Sequence, residues 1–149
     1  MIRPWRPSDR PFVASSWLSS FRVSHWSGVI SDGRYGDVYS PEVDRILDTR
    51  GVSVLVHCNP EDQDQILGWA CHGPGRLYYC YVKAPFRDTN AAGGERPHVA
   101  LKLLRPLGFA DGAMFDFVFR TPQWDKFRAR WRLNARYAVD SHRKGDKAA

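Results

Sequence analysis

The chain has 149 residues, enough for one domain that buries its own core without disulfide or metal staples. Hydrophobic residues make up 43% of it and aromatic residues 13%, with six tryptophans, which excludes a disordered polyelectrolyte. The net charge of +6 is uneven: residues 1–119 hold 13 basic and 13 acidic side chains, whereas the last 30 residues hold nine basic groups against Asp125, Asp140 and Asp146, so any polyanion contact is expected there.

In chain order, Ile2 to Arg6 reads as a strand, and Ser8 as the N-cap of a helix from Asp9 to Phe21 with Phe12, Val13, Ser16, Trp17 and Ser20 on one face. Arg22 to Ser40 has no clean period and is rich in Gly, Ser and aromatics, so a long shaped loop is expected. Ser40 then caps a second helix with Pro41 at its first position, Val43, Ile46 and Leu47 at helical spacing, and an exit near Arg50-Gly51. Val52–Cys58 and Ile66–Cys71 form a hairpin about Asn59-Pro60-Glu61-Asp62. Leu77–Val82 is apolar on both faces, as a central strand would be.

A polar, Gly-rich stretch from Asp88 to Arg96 precedes a helix predicted from Pro97, carrying Val99, Ala100, Leu103 and Leu104, with Gly108 placed to close it in a left-handed turn. Met114–Phe119 is the next strand. Thr121-Pro122 caps and opens a basic helix to about Leu133, and Ala135–Val139 is the last strand. The expected organisation is one α/β (α+β) domain over residues 1–140, in the order β-α-α-β-β-β-α-β-α-β, with a basic tail over 141–149.

Met1-Ile2-Arg3-Pro4-Trp5 lacks the apolar run of a signal peptide, and no window reaches the roughly 18–20 apolar residues of a membrane span, so a soluble, cytoplasmic protein without a membrane partner is expected. Cys58, Cys71 and Cys80, odd in number and set in apolar runs, read as reduced core thiols. His57, Cys58, Cys71, His72 and Cys80 lie on adjacent predicted strands but lack the C-x-x-C spacing of strong metal sites, and no metal is expected.

The element order, with a strand ending Tyr81-Val82-Lys83-Ala84-Pro85-Phe86-Arg87 and a following helix bearing Leu103-Leu104, resembles the GNAT (GCN5-related N-acetyltransferase) family. It looks most like short GNAT-type proteins of tailed phages and proteobacteria, which have similar counterparts of Ile66-Leu67-Gly68-Trp69 and Tyr81-Val82-Lys83. The resemblance implies a mixed, mostly antiparallel sheet of about six strands flanked by about four helices, acetyl-CoA (CoA) as cofactor and an amine as acceptor. It also implies a location in the host cytoplasm or a virion if the chain is phage-encoded.

In that family a Q/R-x-x-G-x-G/A turn before the helix holds the pyrophosphate on backbone N–H groups. One register sets Arg87, Asn90 and Ala92 on this pattern, which leaves Gly93, Gly94 and Pro97 inside the helix. A longer one sets Glu95, His98 and Ala100 there, keeping the helix intact and placing an acid, a proline and a bulky ring where phosphate should rest. Helix physics favours the longer register.

The cofactor-binding residues implied are Tyr81, Val82, Lys83, Arg87, Asn90, Arg96, His98, Val99 and Ala100; the substrate loop would offer Trp26, Asp32, Tyr35 and Asp37. A thiolate-protonating Tyr is expected on the helix after the fifth strand, but that helix has none, leaving Tyr137 and Tyr81 as the catalytic candidates. Tyr78, Tyr79 and Tyr81 either line splayed strands or fill core, and Cys80 reads as a buried thiol in preference to a nucleophile. Lys126, Arg128, Arg130, Arg132 and Arg136, interleaved with Trp124, Phe127 and Trp131, mark a candidate polyanion or protein surface. Two functions follow: an acetyl-CoA-dependent N-acyltransferase, or a catalytically degenerate GNAT-fold binding or structural module.

Overall fold

Residues 1–22, 32–88 and 96–138 are described by a computed structural model, and among them lie six strands and four α-helices. These are β1 (Ile2–Pro4), α1 (Arg10–Arg22), α2 (Asp32–Leu47), β2 (Ser53–Asn59), β3 (Asp62–Gly73), β4 (Arg76–Val82), α3 (Val99–Leu104), β5 (Phe115–Phe117), α4 (Pro122–Arg130) and β6 (Ala135–Tyr137). The sheet runs β1-β2-β3-β4-β5-β6 in space as in sequence. The three pairings from β1 to β4 are antiparallel, whereas β4–β5 and β5–β6 are parallel. Parallel neighbours need crossovers, and α3 and α4 supply them.

Period-two alternation in β2 buries Val54, Val56 and Cys58 on one face. That face packs against Val13, Trp17 and Phe21 of α1 and Val43, Ile46 and Leu47 of α2. The other face packs Ala70, Leu77, Phe115 and Phe117 under Val99, Leu103 and Leu104 of α3. With both faces covered, β4 is central, as its apolar run predicts. Trp17 sits fully buried with the rings of Trp69, Tyr79 and Phe119 at 5.5, 5.5 and 5.2 Å. Ser16, polar on an apolar helix face, accepts the Trp69 Nε1–H at 2.8 Å and so satisfies the buried indole.

Several boundaries differ from the sequence reading. Ser8 does not cap α1. It lies inside a 3-10 turn, Pro7–Asp9, whose Asp9 carboxylate accepts the Arg6 N–H at 2.7 Å. The same carboxylate takes the buried Arg3 guanidinium at 2.7 and 3.1 Å, pinning the chain start to the sheet.

The expected loop over 22–40 is helical from Asp32, and Pro41 lies within α2 instead of opening it. Proline removes one ladder bond at a cost of about 3 kcal/mol. Burial of Val43, Ile46 and Leu47, together with the edge contact of Tyr39 on Phe21 at 5.2 Å, offsets that cost.

α3 begins at Val99, not Pro97, and closes as expected: Gly108 adopts φ +78°, with Phe109 N–H on the Leu104 carbonyl (3.1 Å) and Gly108 N–H on the Arg105 carbonyl (3.0 Å). α4 ends at Arg130, short of Leu133, because Arg132 turns left-handed (φ +51°) and sends the Leu133 N–H back to the Arg128 carbonyl at 2.9 Å. β5 and β6 are likewise shorter than the apolar runs around them. Among the described residues no helix is long and apolar enough to cross a membrane.

Candidate functional site

β4 and β5 separate after a short start. They pair only at Arg76 with Asp116 and Leu77 with Phe117, and their last shared bonds run from Val118 N–H to the Leu77 carbonyl (3.1 Å) and from Phe119 N–H to the Tyr78 carbonyl (3.2 Å). Beyond them β5 turns away, because Thr121-Pro122 starts α4: the Thr121 hydroxyl accepts the Trp124 N–H at 3.1 Å, and proline has no N–H to continue a ladder. β4 continues to Val82, still paired with β3, and the Lys83 N–H bonds the Leu67 carbonyl at 2.8 Å. Antiparallel alternation then turns the backbone groups of Cys80 and Val82 away from β3, into the gap. The Val82 carbonyl accepts Nε–H of Arg87 there, at 2.8 Å.

The gap is a cavity of about 490 Å³. Tyr78, Phe117, Phe119, Trp124 and Phe127 form aromatic walls; Arg87, Asp88, Lys126 and Arg130 carry its charge. Two hydroxyls line it in direct contact, Tyr79 Oη and Ser20 Oγ at 2.8 Å. Because Ser20 donates to the Ser16 carbonyl at 2.6 Å, Tyr79 is the donor between them. Burial pushes the Tyr79 hydroxyl up to about 12, so it stays neutral and able to donate. Burial also pushes the Cys80 thiol up to about 12, which leaves it protonated at neutral pH and removes it as a nucleophile.

At one end of the cavity α3 begins, and Asp88 meets His98 there. His98 is left-handed (φ 50°, ψ 42°), a strained conformation for a residue with a Cβ. Asp88 Oδ1 accepts the His98 N–H at 2.8 Å, and Oδ2 lies 2.9 Å from Nδ1, which donates to it. His98 is the residue that the longer register sets on the family's glycine. The first exposed donor of the turn is therefore given to a carboxylate of the chain itself.

Of the residues singled out from the sequence, Tyr81, Val82, Arg87, Val99 and Ala100 line the cavity. Lys83, Arg96 and His98 are not among its lining residues; the Lys83 ammonium lies 5.9 Å from the Phe12 ring instead. Asn90 and Trp26 fall outside the described residues, as do the side chains of Asp32, Tyr35 and Asp37, whose backbone is in α2. Tyr137 stacks on Phe117 at 5.2 Å, with the Arg120 guanidinium 5.4 Å from its ring, and does not line the cavity.

The basic C-terminal groups do not form one surface. Asp125 binds both Arg120 (2.9 Å) and Arg128 (3.0 Å), whose combined bonds hold its carboxyl below the ordinary range against the opposing effect of burial. Asp116 binds Arg136 at 2.9 Å. Lys126 and Arg130 face the cavity, and Arg132 is exposed on its left-handed turn. Sequence reasoning missed the part played by Asp88, ten positions from His98 across a Gly-rich segment, because no periodicity marks such a pairing. Among the described residues no group of three or more His, Cys, Asp or Glu side chains comes together to hold a metal.

No family model matches the chain, and no curated protein matches it. Among solved structures it is similar to the GCN5-related N-acetyltransferase (aminotransferase, class-II) of Rhodopseudomonas palustris, at 19% identity over 76% of this chain and 68% of that one, with a TM-score of 0.46. It is similar to a mutant of the BH1408 protein of Bacillus halodurans, at 13% identity over 99% and 87% of the two chains, with a TM-score of 0.48. A third is the ribosomal-protein-alanine N-acetyltransferase of Brucella melitensis, at 20% identity over 71% and 65%, with a TM-score of 0.39.

Proposed function

We propose that the chain is an acetyl-CoA-dependent N-acyltransferase that binds its acyl donor in the cleft between β4 and β5. The observation that carries this reading is the separation of those strands, which opens an apolar-walled cavity beside the backbone of Cys80 and the Val82 N–H that, among the described residues, no strand partner takes up. Such an opening fits an extended arm of amides and methylenes: the aromatic walls take the apolar stretches, and the free backbone groups take the amides. Bound acetyl-CoA supplies an activated acyl group. Transfer forms a nitrogen–carbon bond to the amine and breaks the carbon–sulfur bond, with one proton leaving the amine and one ending on the thiol.

The chain contributes an aromatic-walled pocket and two tyrosines that line it, Tyr79 and Tyr81, of which Tyr79 is kept neutral by burial. Tyr81, Val82, Arg87, Val99 and Ala100 are the residues assigned to the donor. The start of α3 is a poorer pyrophosphate site than a free helix N-terminus, because the Asp88 carboxylate already occupies the His98 N–H. That mismatch favours a second reading, a GNAT-fold module that binds a ligand in the cleft without turnover.

Calorimetric titration with acetyl-CoA and CoA, followed by an assay for thiol release with a panel of amines, tests both. Binding with turnover supports the transferase, and binding without turnover supports the module. Absence of binding at millimolar ligand sinks the reading of the cleft.

A further inference from the structure

We propose that the phosphates of the cleft's ligand are held by the side chains of Arg87, Lys126 and Arg130, and not by the start of α3. This rests on the reading of the cleft as the acyl-donor site and specifies how the anionic end of that donor is recognised.

At the start of α3 a carboxylate of the chain already sits on the His98 N–H. Both oxygens of Asp88 are engaged there, one by the His98 N–H and one by Nδ1, so an incoming phosphate would meet a carboxylate in place of a donor. Cations gather instead on the cavity's own rim. Arg87 follows β4, its Nε–H fixed on the Val82 carbonyl, which leaves its two terminal nitrogens without a carboxylate partner among the described residues. Lys126 and Arg130 lie four positions apart on α4 and so share one face, and all three side chains line the same cavity.

Among the described residues, the lack of a carboxylate partner separates them from the rest of the basic segment. Arg120 and Arg128 are tied to Asp125, and Arg136 to Asp116, whereas among the described residues no carboxylate pairs with Arg87, Lys126 or Arg130. Guanidinium and ammonium groups without a carboxylate partner, Arg130 lying over the Trp131 ring, suit a phosphorylated ligand whose uncharged arm enters the cleft beside them. Among the described residues of the C-terminal segment, Arg120, Arg128 and Arg136 are thus tied to carboxylates, and Lys126 and Arg130 are left to the cavity.

The test compares acetyl-CoA, the phosphate-free acetyl-pantetheine and adenosine 3′,5′-bisphosphate on the wild type, on a triple variant Arg87→Gln, Lys126→Gln, Arg130→Gln, and on the control Arg132→Gln, with circular dichroism of each. The expected result is that the triple variant binds acetyl-CoA more than about tenfold more weakly and with a flatter salt dependence. Acetyl-pantetheine affinity should be unchanged, and the control should behave as wild type. Loss of adenosine bisphosphate binding in the triple variant supports the same assignment. Wild-type affinity and salt dependence in a folded triple variant would overturn it while leaving the cleft reading intact. If the wild type binds neither acetyl-CoA nor acetyl-pantetheine, the cleft reading itself falls.

Discussion

Asp88 and His98 lock the start of α3 onto the segment after β4: one carboxylate holds both the backbone N–H and the ring Nδ1–H of a residue in left-handed conformation, at 2.8 and 2.9 Å. A left-handed histidine persists only where its surroundings compensate, and these two bonds together with the edge contact of its ring on Trp131 at 5.4 Å do so. Asp88→Ala should therefore cost about 1–2 kcal/mol, a drop of a few degrees in Tm for a chain of this size. Scanning calorimetry reads this directly, and an unchanged Tm would show that the pair does not hold the turn.

Gly68 fixes how closely α3 and β4 approach β3. A Cβ there would meet the Tyr81 carbonyl oxygen at 2.6 Å and Val99 Cγ1 at 2.9 Å, and both neighbours belong to the cavity wall. Gly68→Ala should destabilise the fold by about 1–3 kcal/mol through overpacking. It should also weaken acetyl-CoA binding more than Gly36→Ala, whose Cβ meets nothing within 4 Å. Equal behaviour of the two variants in denaturant melts and titrations would refute the close approach.

The Arg3–Asp9 pair is buried, and the side-chain bond from Arg3 is the main reason the Asp9 carboxyl lies below its ordinary value, aided by the Arg6 N–H and opposed by desolvation. A depressed carboxyl contributes stability that is complete above its unfolded pKa and is lost as pH falls through the folded one. At neutral pH, Asp9→Ala should cost about 3–5 kcal/mol, since it strands a buried guanidinium. The gap between wild type and variant should shrink as the pH drops below the ordinary carboxylate range. Urea melts at stepped pH measure it; a gap independent of pH would remove Asp9 as the titrating group.

Cys80 lines the cavity while Cys58 and Cys71 are wholly buried. With its thiol near 12, alkylation of Cys80 in the native protein should be slow at about pH 8 and still rising, without a plateau, at about pH 10. Acetyl-CoA should slow it further if the cleft holds the donor. Mass spectrometry after timed iodoacetamide treatment gives the rate, and a plateau near neutrality would mean an activated thiolate that burial does not permit.

Local physics made much of this chain legible. Alternating apolar residues in Val54–Cys58, the apolar run Leu77–Val82, the Thr121-Pro122 cap and Gly108 each specify their element through bonds to near neighbours, and the order of six strands and four helices follows. The start of α2 was not legible, because its first turns hold Gly33 and Gly36 and its middle holds Pro41; burial of Val43, Ile46 and Leu47 against α1 and the sheet overrides those propensities.

The cavity-lining residues Tyr81, Val82, Arg87, Val99 and Ala100 are named through the family resemblance of the strand and helix that carry them. Their meeting depends on where β5 leaves β4. Three decisions belong to the tertiary structure alone: that Asp88 reaches His98, that Asp116 takes up Arg136, and that Lys126 and Arg130 are left facing the cavity. Each depends on where separate segments come to lie after packing, which no period or spacing in the sequence encodes.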